Sequence, residues 1–329
     1  MKRRQLGAHG PAVSEIGFGG WALGGQWGDQ DDNESIAALH AAIDAGVNLI
    51  DTAPGYGEGR SEQVIARVLR ERGSTDLFVA TKTPPAEGAW PPSPYCRWED
   101  RYAAAYIRDN VHQRLTNLGV DRLDLLQLHT WTRAWNDDPQ PLLVLRQLKD
   151  EGKIRLIGLC TPEQDQNCVI QLMRDGLVDV VQVIFNLFEQ EAAAQIFSTA
   201  AETGTGVIVR VPLDEGALSG KYGPDHRFSE GDFRQAYFAG DRMARTVARI
   251  EAVRQDCERH GVLGQFDMAD VAIKFALNPP EVSTVIVGTR SVDQATRNAR
   301  ISGLPELPAG LLRDLRRHHW LRGVWYGGK

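Results

Sequence analysis

Four side chains of complementary chemistry, Asp51, Tyr56, Lys82 and His129, follow short apolar runs. A carboxylate, a phenol, an ammonium and an imidazole that meet at one point can move a proton. An ammonium beside a phenol lowers the phenol's pKa, and a carboxylate keeps that ammonium charged. Such a phenol can hand its proton to a carbonyl oxygen while hydride arrives from elsewhere. The runs are Val47-Asn48-Leu49-Ile50, Leu77-Phe78-Val79-Ala80 and Leu123-Asp124-Leu125-Leu126-Gln127-Leu128, and each reads as a buried strand. Their ends converge only if the strands lie side by side and run the same way. That is the C-terminal rim of a parallel barrel.

Taken singly, each residue has a plainer role. Asp51 can cap a turn, Tyr56 can decorate a glycine-rich loop, Lys82 can be a solvated strand-end charge, and His129 a hydrogen-bonded rim histidine. Their chemical fit to one another at four strand ends is what favours a site.

The elements that must position them repeat along the chain. A short hairpin occupies the first residues, and a strand over 13–18 ends in Gly19-Gly20. A helix over 33–45 follows, with Asp32 or Asn33 as cap and Gly46 as stop. Further strands are expected at 47–50, 77–80, 123–128, 154–158, 178–184, 206–211 and 284–287. Helices are expected at 60–72, 101–118, 140–151, 162–175, 189–203, 241–260, 267–277 and 291–300. Regular alternation of this kind means a parallel sheet. The stretch Gly17-Phe18-Gly19-Gly20-Trp21-Ala22 spells a dinucleotide fingerprint, which would suit an open sheet. The glycine-rich residues 21–30 cannot open a helix at once, and no acidic residue closes a second strand at the required distance. The reading is therefore a single domain over 1–329, an α/β (β/α)8 TIM barrel. It carries an N-terminal β-hairpin and extra helices in the long loop after strand 7 and at the C-terminus.

Two segments break the rhythm, 83–100 and 212–238. Both follow strands, so both belong on the rim, where long connections are usually functional. The tail over 311–325 reads as a helix carrying Trp320 and leading to Trp325-Tyr326, placed either to cap the barrel or to reach the rim.

Composition limits the function. With 42% hydrophobic and 24% charged residues the chain is ordinary globular material. A net charge of -6 argues against nucleic acid or an anionic membrane as partner. Cys96, Cys160, Cys168 and Cys257 are scattered without zinc spacing, which fits reduced thiols and a cytoplasmic location. The basic start lacks the apolar core of a signal peptide, and no apolar stretch approaches a membrane span. No metal-ligand set is legible; His318-His319 are adjacent rather than helically spaced.

The run Asp51-Thr52-Ala53-Pro54-Gly55-Tyr56-Gly57-Glu58-Gly59, with Gly46–Ile50 before it and Arg60-Ser61-Glu62 after it, resembles the signature of the aldo-keto reductase superfamily. So do Ala80-Thr81-Lys82 and Leu125-Leu126-Gln127-Leu128-His129. The resemblance covers nearly the whole chain. It implies an eight-unit barrel that uses NADPH to reduce an aldehyde or ketone to an alcohol. By position it implies Tyr56 as general acid, Lys82 as its partner, Asp51 as support for that lysine, and His129 as the group orienting the carbonyl.

The same resemblance implies a cofactor groove. Trp21, Asp51, Cys160, Thr161 and Gln182 would surround the nicotinamide, where Cys160 and Thr161 replace the more usual Ser and Asn. Arg210 stands where an aromatic residue usually stacks on the ring. A guanidinium can stack there, bind an acidic substrate group, or turn away into a salt bridge at the rim. Pro212, Leu213, Leu218 and Lys221 would follow the pyrophosphate. Gly288, Thr289, Arg290, Gln294 and Asn298 would hold the adenosine end, and the arginine fork beside a helix start favours NADPH over NADH. Trp21, Trp27, Tyr56, Trp90, His129 and Trp131 would wall the substrate pocket, with Trp98 near it and with Arg97 and Arg133 as steering or solvated charges.

Two other functions suit such a barrel. One is an NADP(H)-binding regulatory subunit with little turnover, disfavoured by the lack of an obvious extra N-terminal segment. The other is a metal-dependent barrel lyase or isomerase, which would want His, Asp and Glu clustered at strand ends. The partner is expected to be a small carbonyl compound, and monomer or homo-oligomer is left open.

Overall fold

A computed structural model describes residues 1–73, 76–320 and 322. Two short antiparallel strands, β1 (Arg3–Gln5) and β2 (Ala12–Ser14), form the hairpin. Eight parallel strands then close into a barrel: β3 (Ile16–Gly19), β4 (Leu49–Asp51), β5 (Phe78–Thr83), β6 (Leu123–Leu128), β7 (Ile154–Cys160), β8 (Val180–Ile184), β9 (Gly206–Arg210) and β10 (Val282–Gly288). Strand β10 pairs with both β9 and β3, which completes the ring.

Along each strand alternate residues face inward. The lower inward set includes Leu49, Phe78, Leu125, Leu156, Val180, Ile208 and Ile286, and it packs into one apolar cluster. Leu6 and Val13 of the hairpin belong to that cluster and plug the barrel from below. Leu6 is fully buried, so truncating it to alanine costs about 2–5 kcal/mol. Further along the same faces the inward residues turn polar: Asp51, Lys82, Gln127, Cys160, Gln182 and Arg210. Strand period alone thus stacks a dry layer below a chemical one.

The helices α1 (Asp32–Asp44), α2 (Arg60–Arg72), α3 (Glu99–Tyr102), α4 (Ala104–Leu118), α5 (Gln140–Asp150), α6 (Ile170–Arg174) and α7 (Ile196–Thr203) follow the strands in turn. Between β9 and β10 lie α8 (Arg234–Tyr237), α9 (Arg242–Arg259) and α10 (Met268–Leu277); α11 (Val292–Arg300) and α12 (Ala309–Leu315) follow β10. Among the described residues no helix is long and apolar enough to cross a membrane.

Several boundaries differ from expectation. The strand expected over 13–18 is two, broken at Glu15, whose buried carboxylate takes Arg4 and Ser302. Asp31, rather than Asp32 or Asn33, caps α1 by accepting from the backbone N–H groups of Asn33 and Glu34. The helix expected over 162–175 is only a 3-10 turn, Gln166–Val169, and α6. Gln166 is diverted to the barrel, where its side-chain oxygen accepts from Ile184 N–H and from the Thr161 hydroxyl. The tail helix is α12 and a 3-10 turn, Arg316–His318, and Trp320 is buried edge-on against Phe188. Trp325 and Tyr326 lie outside the described residues.

Candidate active site

The loop after β4 is shaped by glycines. Gly59 opens α2 at φ 92°, and Gly24 lets the first rim loop touch the Tyr56 backbone, where a Cβ would stand 2.4 Å from the Tyr56 carbonyl carbon. Tyr56 is thereby set over the barrel mouth, above the inward Lys82 of β5.

Lys82 is almost wholly buried, and its ammonium meets three acceptors. They are Asp51 Oδ1 at 2.6 Å, the Thr52 carbonyl at 2.8 Å and the Tyr56 hydroxyl at 3.2 Å. An ammonium has three protons, so the set is complete. His129 stands edge-on to Tyr56 with ring centroids 6.2 Å apart. The structure thus brings Asp51, Tyr56, Lys82 and His129 together at one end of the barrel.

The electrostatics correct one expectation. Burial pushes the Tyr56 phenol above its ordinary value, and the nearby Lys82 offsets only part of that rise. Burial also opposes the Lys82 charge, but Asp51, Tyr56 and Cys160 outweigh it and the ammonium is held well above the usual lysine range. Burial, then Lys82 and Arg210, hold the His129 imidazole well below its usual value, so it is neutral at pH 7.

Asp51 is held from both sides. Its second oxygen accepts from Gln182 Nε2 at 2.8 Å and from Gln127 Nε2 at 3.3 Å. Gln182 Nε2 also reaches Gln127 Oε1 at 3.2 Å, and the Cys160 thiol lies 3.7 Å from both glutamine oxygens. Burial pushes that thiol up to about 12, so it remains a weak donor. The Thr161 hydroxyl is turned to Gln166 and the Gln182 carbonyl.

Arg210 takes the salt-bridge alternative. Its guanidinium turns to the end of β7, donating to the Thr161 carbonyl at 3.0 Å and to Glu163 at 3.2 Å. In the following loop Pro212 and Leu218 are buried while Lys221 is exposed. Leu218 is fully buried, backbone included, and its N–H donates to the Leu213 carbonyl, so it shapes this loop from within instead of facing a ligand. Asp214 in this loop pairs with Arg322, so the described tail does reach the rim.

The residues expected at the adenosine end gather at and after the end of β10. Gly288 is exposed, with no protein atom within 4 Å of where a Cβ would stand. Asn298 donates to Thr289, and Gln294 accepts from the Arg290 backbone N–H. The Arg290 guanidinium bonds Gln30 and the Trp27 and Asp29 carbonyls, so it already ties this end to the first rim loop. An open glycine, a nine-residue helix start and an arginine with no carboxylate partner in these contacts fit a phosphate-bearing ligand. At the deep end, Gln182 Oε1 has the distant Cys160 thiol as its hydrogen-bond donor, which leaves it able to accept from a carboxamide.

The expected pocket wall is only partly there. Trp21 stacks beside Tyr56 at 6.0 Å and meets Trp27 at 5.6 Å, and Trp90 stands edge-on to His129 at 5.1 Å. Trp131 is a correction: it is fully buried, bonded to Asn136 and packed edge-on against Trp135, so it fills the core beneath the rim. Trp98 is tied to Asp138. Arg97 and Arg133 are paired with Glu99 and Asp165.

Two contributors were missed. Phe233 packs on Trp21 and Trp27 at 4.5 and 5.0 Å, from a loop whose contacts no local pattern reveals. Gln127 was legible: it lies two residues beyond inward Leu125 on a buried strand, so it had to face inward too.

The aldo/keto reductase family model matches residues 15–318. Aldo-keto reductase YhdN of Bacillus subtilis is 29% identical over 309 residues, 92% of this chain and 89% of that one. The NADH-specific methylglyoxal reductase of Escherichia coli is 27% identical over 334 residues, 96% of this chain and 98% of that one. The solved structure of aldo-keto reductase AKR11C1 from Bacillus halodurans, in its holo form, superposes with a TM-score of 0.76 at 24% identity, covering 98% of each chain.

Proposed function

The chain belongs to the aldo/keto reductase family of oxidoreductases, and on that premise we propose that it is an NADPH-dependent reductase of aldehydes or ketones with Tyr56 as its general acid. One observation carries the reading: the buried Lys82 ammonium joins the Asp51 carboxylate to the Tyr56 hydroxyl, at 2.6 and 3.2 Å. A nicotinamide dinucleotide, when bound, supplies the hydride. As negative charge builds on the substrate oxygen, Tyr56 gives up its proton and Lys82 stabilises the phenolate that forms. Asp51 keeps Lys82 charged and in place. His129, neutral and beside the phenol, is available to donate a second hydrogen bond to the same oxygen. Trp21 and Trp90 flank the pair and exclude water from one side each.

Gln182, Cys160 and Thr161 are the proposed carboxamide contacts, and the loop from Pro212 to Lys221 the pyrophosphate contact. Gly288, Thr289, Arg290, Gln294 and Asn298 are proposed for the adenosine end. NADPH is favoured because Arg290 uses three of its five N–H donors on the loop and keeps its full charge beside the start of α11. The Escherichia coli relative is named NADH-specific, so the choice of cofactor differs from that relative on this reading.

The test is Tyr56→Phe, assayed by oxidation of reduced cofactor against a panel of aldehydes, sugars and keto acids. Turnover falls by about two orders of magnitude or more while cofactor affinity holds. Unchanged turnover in the variant removes Tyr56 from the role. Cofactor binding with no turnover on any substrate favours the regulatory reading instead.

A further inference from the structure

We propose that Gln127 is a positioning residue for the reductase site: a buried amide on β6 that secures one oxygen of Asp51 and so keeps the other on Lys82. The proposal rests on the reading of Asp51, Tyr56 and Lys82 given above.

The amide is fully buried in the polar layer of the barrel, and its residue pairs in register with Lys82 on one side and Gly158 on the other. A carboxylate only accepts, so both glutamine nitrogens must face Asp51. That requirement fixes the orientation of both amides. Gln127 Nε2 donates to Asp51 Oδ2 at 3.3 Å, while its oxygen receives Gln182 Nε2 at 3.2 Å and faces the Cys160 thiol at 3.7 Å.

The neighbouring strand makes room for this side chain. A Cβ on Gly158 would stand 2.6 Å from Gln127 Cγ and 2.9 Å from Leu125 Cδ1. Any larger residue at 158 would displace the amide. A glycine inside a buried strand otherwise weakens it, and here the vacant volume is filled by Gln127.

The arrangement has a consequence for turnover. Gln182 is proposed to meet the cofactor, and an amide that turns to a ligand can leave Asp51. With Gln127 in place, Oδ2 keeps a donor whichever way Gln182 turns. Without it, Asp51 loses its second anchor and swings from Lys82, and the ammonium beside Tyr56 is less firmly held.

The experiment compares Gln127→Met, which keeps the volume, and Gln127→Asn, which withdraws the amide, with Gly158→Ala and with Tyr56→Phe. In the folded Gln127 variants kcat falls about tenfold, the weight of one charge-assisted hydrogen bond to Asp51 passed on through Lys82. The alkaline limb of carbonyl reduction moves up by about half a pH unit, because a less firmly held ammonium offsets less of the rise that burial imposes on the Tyr56 phenol. Affinity for reduced cofactor stays within about twofold, and the isotope effect from deuterated cofactor persists. Gly158→Ala gives the same signature. Unchanged turnover and pH profile in either folded Gln127 variant overturn the proposal, as does a loss seen only in cofactor affinity. If Tyr56→Phe turns over normally, the reading of the site itself fails. If Tyr56→Phe is inactive while Gln127→Met is unchanged, only the role of Gln127 falls.

Discussion

Replacing Lys82 with methionine removes the charge at the centre of the site and keeps most of the stem that fills the barrel. The ammonium lies 3.2 Å from the Tyr56 hydroxyl. At an effective dielectric of about 20, a full phenolate at that distance is favoured by roughly 5 kcal/mol. Only part of the phenol's proton has left in the transition state. Half a charge makes the loss about 2–3 kcal/mol, or roughly two orders of magnitude in kcat. Affinity for the cofactor changes little, since Lys82 spends its three protons on Asp51, Thr52 and Tyr56. The variant also strands Asp51, a buried carboxylate left with two glutamine donors, at a cost of about 3–5 kcal/mol. Folding is therefore checked first by thermal melting. The double variant Asp51→Asn with Lys82→Met removes the stranded charge and regains stability without regaining turnover. A folded Lys82→Met protein that reduces aldehydes within about threefold of the parent rate refutes the electrostatic account.

His129 is held neutral when folded, while the unfolded chain protonates below about pH 6.5. There the unfolded state binds a proton the folded state refuses, so stability falls as pH drops. His129→Gln should flatten that acid decline in chemical-denaturation curves recorded between about pH 7 and 4. A curve of unchanged slope counts against a buried neutral imidazole. Arg290→Ala should raise the Michaelis constant for NADPH by about tenfold or more and leave that for NADH nearly unchanged; equal effects would sink the NADPH assignment. The raised phenol predicts opposite pH trends for the two directions of reaction. Alcohol oxidation, which needs phenolate, accelerates into the alkaline range while carbonyl reduction slows, and parallel trends exclude Tyr56 as the shared acid and base.

The barrel was legible because each strand is a short apolar run followed by a helix with explicit ends, such as Gly59 and Gly73 around α2. The meeting of Asp51, Tyr56, Lys82 and His129 was legible for the same reason, since strand ends in a closed parallel sheet share one rim. What the sequence hid was set by side-chain contacts that no residue pattern announces, some between distant segments and some within one loop. The sequence leaves Arg210 open between stacking, an acidic substrate group and a rim salt bridge, and only Glu163, on the neighbouring loop, decides for the last. Trp131 reads as a pocket wall until Trp135 and Asn136 enclose it. The sign of the Tyr56 shift was likewise hidden: the lysine was visible in the sequence, but the depth of burial was not.

That burial explains why the site needs so many supports. A phenol in water would need little help to stay protonated, and a phenolate would be solvated on forming. At this mouth burial holds the proton on Tyr56, and in the proposed reaction it leaves only as charge develops on a substrate oxygen. The same low polarity then makes the phenolate costly unless a cation is already beside it. Lys82 can be that cation only if its own charge survives burial, which requires Asp51. Asp51 in turn is tolerable in the barrel because Gln127 and Gln182 satisfy its second oxygen. The dependence runs outward from one phenolic proton through an ammonium and a carboxylate to two neutral amides, at which point no charge is left to stabilise. The inward faces of β4, β5, β6 and β8 supply those groups, and the loop after β4 supplies the phenol. The register of the sheet therefore sets the chemistry: a one-residue slip in any of these strands would turn its member of the chain out of the barrel.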